Sequence, residues 1–140
     1  MSLETVLDRY PVPACARTLG LDILEARPSH GWVRIGFVGQ PAFCNASGCV
    51  QGGFLAAMLD DSMGPAVMIA TEGALYPVTI DMTVSFLAPA RPGPLFGEAE
   101  VISLGKTIGF VEARLMDGEG ALLAKASASV RLLPTSRLAG

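Results

Sequence analysis

The sequence predicts an α+β fold in which a curved antiparallel sheet wraps around one long helix. Two strand-like segments come first, one long segment with apolar residues on every side follows, and four further strand-like segments with short turns complete the chain. A helix that is apolar on all sides must be buried on all sides, and only the strands are available to cover it. We therefore expect a single domain over residues 1–140, with about five to six strands.

The segments before the long helix predict a short helix and two strands. Apolar residues at helical spacing indicate a short helix over 3–10, which two prolines end. Segments 21–26 and 32–38 have the composition of strands, and the connection between them contains proline and glycine. We expect these two strands to form a hairpin.

The rest of the chain predicts the long helix and the larger part of the sheet. The helix is expected over 53–70, with apolar side chains at almost every position. Turn-like breaks rich in Pro, Gly and Asp separate four segments after it, some with clear alternation of apolar and polar residues. These predicted strands cover 78–87, 95–104, 107–116 and 121–132.

Composition excludes several classes of protein. The chain has 140 residues, of which 51% are hydrophobic and 16% charged, with a net charge of −3. Nucleic-acid binding needs clustered Lys and Arg, so we expect no nucleic-acid partner. The uncharged run 35–59 is interrupted by Gly, Pro, Asn and Gln, which is not the pattern of a spanning helix, and we expect no membrane association.

The cysteines and the first residues indicate the compartment. Cys15, Cys44 and Cys49 are an odd set in a chain large enough to fold without disulfides, which favours free thiols. A metal site is disfavoured because His30 is the only histidine. The N-terminus lacks a basic stretch followed by an apolar run, so we expect no signal peptide and a cytoplasmic protein.

The strongest functional signal is the segment that leads into the long helix. Gly52 and Gly53 open this helix, and the first amide groups of a helix have no partner within it. Such a helix start can polarise a carbonyl group and hold a developing oxyanion, with Asn45 helping to orient it. The alternative interpretation is a tight turn that Asn45 caps.

Two carboxylates interrupt the apolar helix. Asp60 and Asp61 are the first charges after 25 uncharged residues, and adjacent helical positions face different directions. Gly52 and Asp60 are separated by about 12 Å along the helix axis, at 1.5 Å per residue, which is too far for both to act on one carbonyl carbon. If both are catalytic, they must come from two subunits related by a two-fold axis.

This segment resembles that of PaaI-type thioesterases, which have the hotdog fold. Their pattern N-x-x-G-x-x-H-G-G, with an acid nine residues after the His, appears here as Asn45, Gly48, Gln51, Gly52 and Gly53, followed by Asp60. The resemblance covers roughly residues 19–133 and extends to the later strands. It implies a homodimer, often paired again into a homotetramer, that hydrolyses acyl or aroyl thioesters of coenzyme A without a metal or prosthetic group.

The resemblance also implies a role for each site residue. The Gly52 amide and Asn45 would bind the thioester carbonyl, Asp60 of the partner subunit would activate water, and Thr79 would orient that water or the carboxylate. Asp81, predicted on the same strand face, competes with Thr79 or partners it. The predicted substrate-binding set is Gln51, Gly53, Gly48, Asp61 and Lys106.

Gln51 departs from the family pattern, which usually has His at this position. Glutamine keeps a donor and an acceptor but does not titrate near neutral pH, so a mechanism based on Asp60 survives whereas one based on imidazole does not. The alternative function is therefore a non-catalytic protein that binds or senses acyl-CoA. A hotdog dehydratase is disfavoured because its catalysis typically uses a histidine.

Overall fold

The computed structural model describes residues 3–138 and confirms the hotdog architecture. Six antiparallel strands form one curved sheet in the order β1-β2-β4-β5-β6-β3, and the long helix α2 lies against its inner face. The strands are β1 Asp22–Arg27, β2 Trp32–Gly39, β3 Leu75–Phe86, β4 Gly93–Leu104, β5 Ile108–Met116 and β6 Leu122–Pro134. The helices are α1 Ala14–Leu19 and α2 Gly52–Ala70.

The N-terminal prediction is wrong in its details. Within the segment from residue 3 to residue 10, the structure has one short 3-10 helix, Val6–Arg9, in place of the longer helix expected from the sequence. The α-helix comes after the prolines, because Pro13 has extended backbone dihedrals and serves as the N-cap of α1. Tyr10 instead donates a hydrogen bond to the carbonyl of Gly73, which ties this segment to the end of α2.

The core lies between α2 and the sheet. Met58, Leu59 and Val67 of the helix are fully buried against inward-facing strand residues such as Ile35 and Leu115. Burial of such side chains contributes about 1.5–3 kcal/mol each, so the contact between this helix and the sheet stabilises the fold strongly. By length and composition α2 could also cross a membrane, but in this fold it is the core helix that the sheet wraps.

The helix is not buried on all sides, contrary to the sequence-based expectation. Its second half is almost entirely buried, whereas Gly53, Phe54 and Asp60 are exposed along the first half. The uncovered face lies on the side of the predicted site, so the apolar pattern around the helix does not by itself decide which face meets the sheet.

The sheet leaves β3 at one edge, where β6 is its only neighbour among the described residues. Val78, Ile80, Phe86 and Leu87 are large apolar residues that are exposed on or just beyond this edge strand. An open edge with exposed apolar side chains is a template for pairing with another strand.

Candidate active site

The start of α2 presents two free amide groups. The carbonyl of Gln51 accepts hydrogen bonds from the amides of Phe54 and Leu55, at 2.9 and 3.3 Å. The amides of Gly52 and Gly53 have no hydrogen-bond acceptor within residues 3–138. They lie at the positive end of the helix dipole, where a carbonyl oxygen that gains negative charge is stabilised.

The preceding loop fixes the orientation of Asn45. Its Oδ1 accepts hydrogen bonds from the Ser47 amide at 3.0 Å, the Ser47 hydroxyl at 2.6 Å and the Cys49 amide at 3.4 Å. Because these donors occupy Oδ1, only the Nδ2 group of Asn45 is left to bind a ligand, and it can only donate. The structure therefore shows Oδ1 in a role that holds the loop turn, whereas a role of Nδ2 in binding the carbonyl stays a prediction.

Gly48 and Gln51 differ in their environments within the loop. Gly48 has a φ of +79°, which favours glycine, and its amide closes the turn on the carbonyl of Asn45 at 3.0 Å. Gln51 is exposed, and its side chain makes no capping hydrogen bond to the helix. The side-chain amide of Gln51 is therefore available to contact a ligand.

An open cavity of about 440 Å³ adjoins the helix start. Phe86 forms one wall: a methyl group placed on Gly52 would come within 3.2 Å of its ring. Glycine at position 52 thus leaves room for the aromatic ring as well as for a ligand. The lining carries no charged side chain and consists of Asn45, Ser47, Cys49, Val50, Gly52, Leu55, Phe86, Leu87, Ala88, Pro89 and Ala90.

A second group of polar side chains lies in the middle of α2. The hydroxyl of Thr79 on β3 donates to Oδ1 of Asp60 at 2.6 Å. Asp60 is exposed, so its second oxygen remains accessible to water or substrate. The structure therefore brings the predicted pair Asp60 and Thr79 together within one chain.

A β-bulge separates Thr79 from Asp81, and the prediction that they share a strand face is wrong. Thr79 pairs with the buried Val130, whereas Asp81 pairs with Ser129, and the register shifts between them. The extra residue, Ile80, turns Asp81 to the outer face of the sheet. Asp81 therefore cannot compete with Thr79 for Asp60.

Asp61 lies in a different environment from its neighbour. Burial raises the pKa of its carboxyl to about 6, with a further contribution from the negative charge of Asp60. Its Oδ2 atom is buried and has no hydrogen-bond partner among the described residues. Adjacent positions on one helix thus give one accessible carboxylate and one carboxyl that resists ionisation.

Comparison with known proteins identifies the family. A sequence model described as the thioesterase superfamily matches residues 47–124, which include α2 and the strands β3, β4 and β5. The chain belongs to the thioesterase superfamily.

Solved structures of this superfamily share the whole architecture. The phenylacetic acid degradation-related protein of Ralstonia eutropha JMP134 is 37% identical, with a TM-score of 0.81 over 90% of this chain and 95% of that protein. The PaaI protein of E. coli has a TM-score of 0.74 over 86% of this chain and 85% of its own, and at 24% identity it shows the fold alone. The resemblance to PaaI-type proteins is confirmed.

Curated relatives match over a shorter stretch. Acyl-coenzyme A thioesterase 13 of Homo sapiens is 32% identical over 83 residues, which cover 58% of this chain and 59% of the relative. The matched part of the chain spans less than two thirds of the length of these curated relatives.

In this member of the superfamily, Lys106 lies far from the predicted site residues at the helix start of its own chain. It follows β4, which begins at Gly93, three residues after Ala90 of the cavity lining, and ends at Leu104. A strand of this length spans roughly 35 Å, so Lys106 is at the opposite end of the sheet from Gly52.

Sequence reasoning missed Phe86. It is the last residue of β3, 54% exposed, and no motif distinguishes it from other apolar strand residues. The contact between its ring and Gly52 depends on how the helix crosses the sheet, which alternation along a strand does not encode.

Proposed function

We propose that the protein hydrolyses acyl or aroyl thioesters of coenzyme A at a site formed by two copies of the chain. The observation that carries this proposal is the combination of two groups on α2. Its middle carries the accessible Asp60 carboxylate, held by Thr79 of β3, and its start offers free amides at Gly52 and Gly53. An accessible base and an oxyanion site are the two parts that hydrolysis of a thioester requires. The name of acyl-coenzyme A thioesterase 13 supports coenzyme A as the thiol.

The proposed reaction uses one water molecule. The thioester carbonyl oxygen accepts hydrogen bonds from the Gly52 amide and from Nδ2 of Asn45. Asp60 of the partner subunit removes a proton from water, and the water oxygen attacks the carbonyl carbon. The negative charge that develops on the carbonyl oxygen is held at the helix start until the carbon–sulfur bond breaks, and the departing thiolate takes the proton from Asp60, which restores the base.

The need for two copies follows from distance. Gly52 and Asp60 of one chain are about 12 Å apart along α2, whereas a base must lie within hydrogen-bond reach of the water it activates. Antiparallel pairing of two β3 edges about a two-fold axis near Met82 brings Thr79 of one copy toward Phe86 at the end of the other β3. This pairing places Asp60 beside the Gly52 amide of the other chain and brings Lys106 toward the substrate from a second copy.

A homodimer of this kind covers the exposed apolar residues of β3, and we propose that two dimers associate further into a homotetramer. The outer face of the sheet supports the second contact, because it carries a patch of exposed apolar side chains. The patch consists of Ile102, Ile108 and Phe110.

The proposed reaction uses protein groups and water alone, with coenzyme A as part of the substrate and no further cofactor. We also propose that the protein works in the cytoplasm. The three cysteines, Cys15, Cys44 and Cys49, are free thiols, which are typical of a reducing compartment.

A hydrolysis screen tests this function. Purified protein is assayed for thiol release from coenzyme A esters of several chain lengths and of aromatic acids, with Asp60→Asn as the control variant. We expect hydrolysis of at least one ester by the natural protein and a strong loss in the variant. An absence of thiol release across the panel would contradict the proposal.

The second candidate function is an acyl-CoA binding or sensing protein. Gln51 favours it, because this exposed side chain replaces the titrating histidine of the family pattern. Calorimetry separates the two: tight binding of an acyl-CoA that is recovered intact supports a sensor, whereas turnover at ordinary enzyme rates excludes it.

A further inference from the structure

Phe86 stands directly against the start of α2. Its ring atoms lie 3.2 to 3.7 Å from the place where a side chain on Gly52 would begin. The ring also lines the cavity of about 440 Å³ beside the free amides. The side chain of Phe86 has no polar atom that could take part in hydrolysis, so its ring acts on the reaction through its shape.

We propose that the Phe86 ring selects substrates by the width of the acyl group next to the thioester carbon, and that among acyl and aroyl esters it favours those with narrow, uncharged acyl groups. This inference rests on the proposed function, because it assumes that the Gly52 amide binds the thioester carbonyl. It adds a selection rule that the hydrolytic machinery alone does not supply.

The steric argument follows from hydrogen-bond geometry. A carbonyl oxygen bound to the Gly52 amide lies about 2.9 Å from the nitrogen, so the carbonyl carbon is about 4 Å away. The first carbons of the acyl group are then expected next to the Phe86 ring, which lies 3.2 Å from the place where a Cβ on Gly52 would stand. A straight chain places a single CH2 group beside the ring, whereas an acyl group that branches at its first carbon has to displace the ring.

The electrostatic argument concerns the cavity lining. Its apolar residues include the buried Val50 and Leu55, and its only polar side chains are Asn45, Ser47 and Cys49. An ionised carboxylate placed there would lose water without gaining a cationic partner, which is costly. Acyl groups that end in a carboxylate are therefore excluded unless their charge reaches solvent.

Isomeric esters test the selection at the first carbon. The kcat/KM of butanoyl-CoA is compared with that of 2-methylpropanoyl-CoA, for the natural protein and for Phe86→Ala and Phe86→Trp. We expect the natural protein to favour butanoyl-CoA, Phe86→Ala to shift this ratio about tenfold toward the branched isomer, and Phe86→Trp to shift it the other way. Size-exclusion chromatography checks that each variant keeps the oligomeric state of the natural protein.

Phe110→Ala is the matched control. Phe110 is 52% exposed, close to the 54% of Phe86, but it lies on the outer face of the sheet. Phe110 belongs to the proposed contact between dimers, so this variant can change the oligomeric state, but we expect it to leave the ratio of the two isomers unchanged. Equal loss of kcat/KM for both isomers in Phe86→Ala, or the same ratio shift in Phe110→Ala, would overturn the proposal.

Binding measurements keep this test separate from the test of hydrolysis. Calorimetric affinities of the same two esters are measured in the Asp60→Asn background, with and without Phe86→Ala. A change in the affinity ratio supports selection by Phe86 even if the natural protein releases no thiol, which would contradict the proposed function alone. An unchanged affinity ratio together with an unchanged kcat/KM ratio overturns the selection rule.

Discussion

The beginning and the middle of α2 hold their polar groups in different ways. At the beginning, the functional groups are backbone amides whose direction is set by the helix itself, and Asn45 supports them through a loop that occupies its Oδ1. In the middle, they are side chains of adjacent residues with unlike surroundings, an exposed Asp60 held by Thr79 and a half-buried Asp61 with an unpartnered oxygen. The first region tolerates little change in backbone, whereas the second depends on single atoms of side chains.

The largest effect is expected from the middle of the helix. Asp60→Asn keeps the size of the side chain but removes the base, so kcat should fall roughly 10²- to 10⁴-fold. Steady-state thiol release measures this loss, and circular dichroism checks that the fold is retained. A small loss in Asp60→Asn together with a large loss in Asp61→Asn would mean that the two carboxylates have exchanged roles.

The next effect tests the beginning of the helix. Asn45→Asp preserves the oxygen that accepts the loop hydrogen bonds but removes the only donor, so kcat/KM should fall roughly 10²- to 10³-fold. Thermal unfolding should stay close to that of the natural protein, because the turn keeps its acceptor. If activity survives in this variant, Asn45 acts only as a structural cap.

The hydrogen bond from Thr79 predicts a smaller effect. Thr79→Val has nearly the same shape but cannot donate to Asp60, and the loss of one hydrogen bond to a charged group should lower kcat about tenfold. Thr79→Ser retains the hydroxyl and should recover most of the activity. Equal kinetics for the Val and Ser variants would show that the hydroxyl does not position Asp60.

Asp61 predicts a change in stability with pH. Its pKa is raised from 3.8 to about 6 in the folded protein, so the folded state binds the proton more tightly than the unfolded chain. The tighter binding of this proton makes its full contribution to the free energy of unfolding below pH 3.8. The contribution is lost as the pH rises through about 6. Asp61→Asn should therefore raise the free energy of unfolding near pH 7 by about 2 kcal/mol, a value that allows for partial exposure.

Urea unfolding of both proteins at two pH values checks this stability effect. Near pH 4 the natural carboxyl is largely neutral, so the variant and the natural protein should have similar free energies of unfolding. A variant that is less stable near pH 7 would show that the ionised Asp61 makes a favourable contact.

The sequence predicts most of this architecture because its signals are local. The apolar run gives α2, which begins one residue earlier than expected, and alternation gives the strands to within three residues at each end. The positions of Asn45, Gly52 and Asp60 follow from spacing along a loop and a helix, whereas their catalytic roles come from the family resemblance and stay predictions. These features need no knowledge of which strands are neighbours.

The features that the sequence does not predict depend on tertiary contacts. The bulge at Ile80 arises from the register of β3 against β6, so alternation wrongly places Asp81 beside Thr79. The raised pKa of Asp61 arises from burial that helical position alone does not reveal. The position of Phe86 against Gly52 requires the crossing of helix and sheet.

The central claim is that the helix start of one chain acts with Asp60 of another, and mixed dimers test it directly. Asp60→Asn and Asn45→Asp chains with different affinity tags are co-expressed, and dimers that contain one of each are purified. If the site is shared, one of the two sites in each mixed dimer is intact, and kcat per dimer should be about half that of the natural protein. If each site is built within one chain, both sites are damaged, and mixed dimers no more active than the parent variants would contradict the claim.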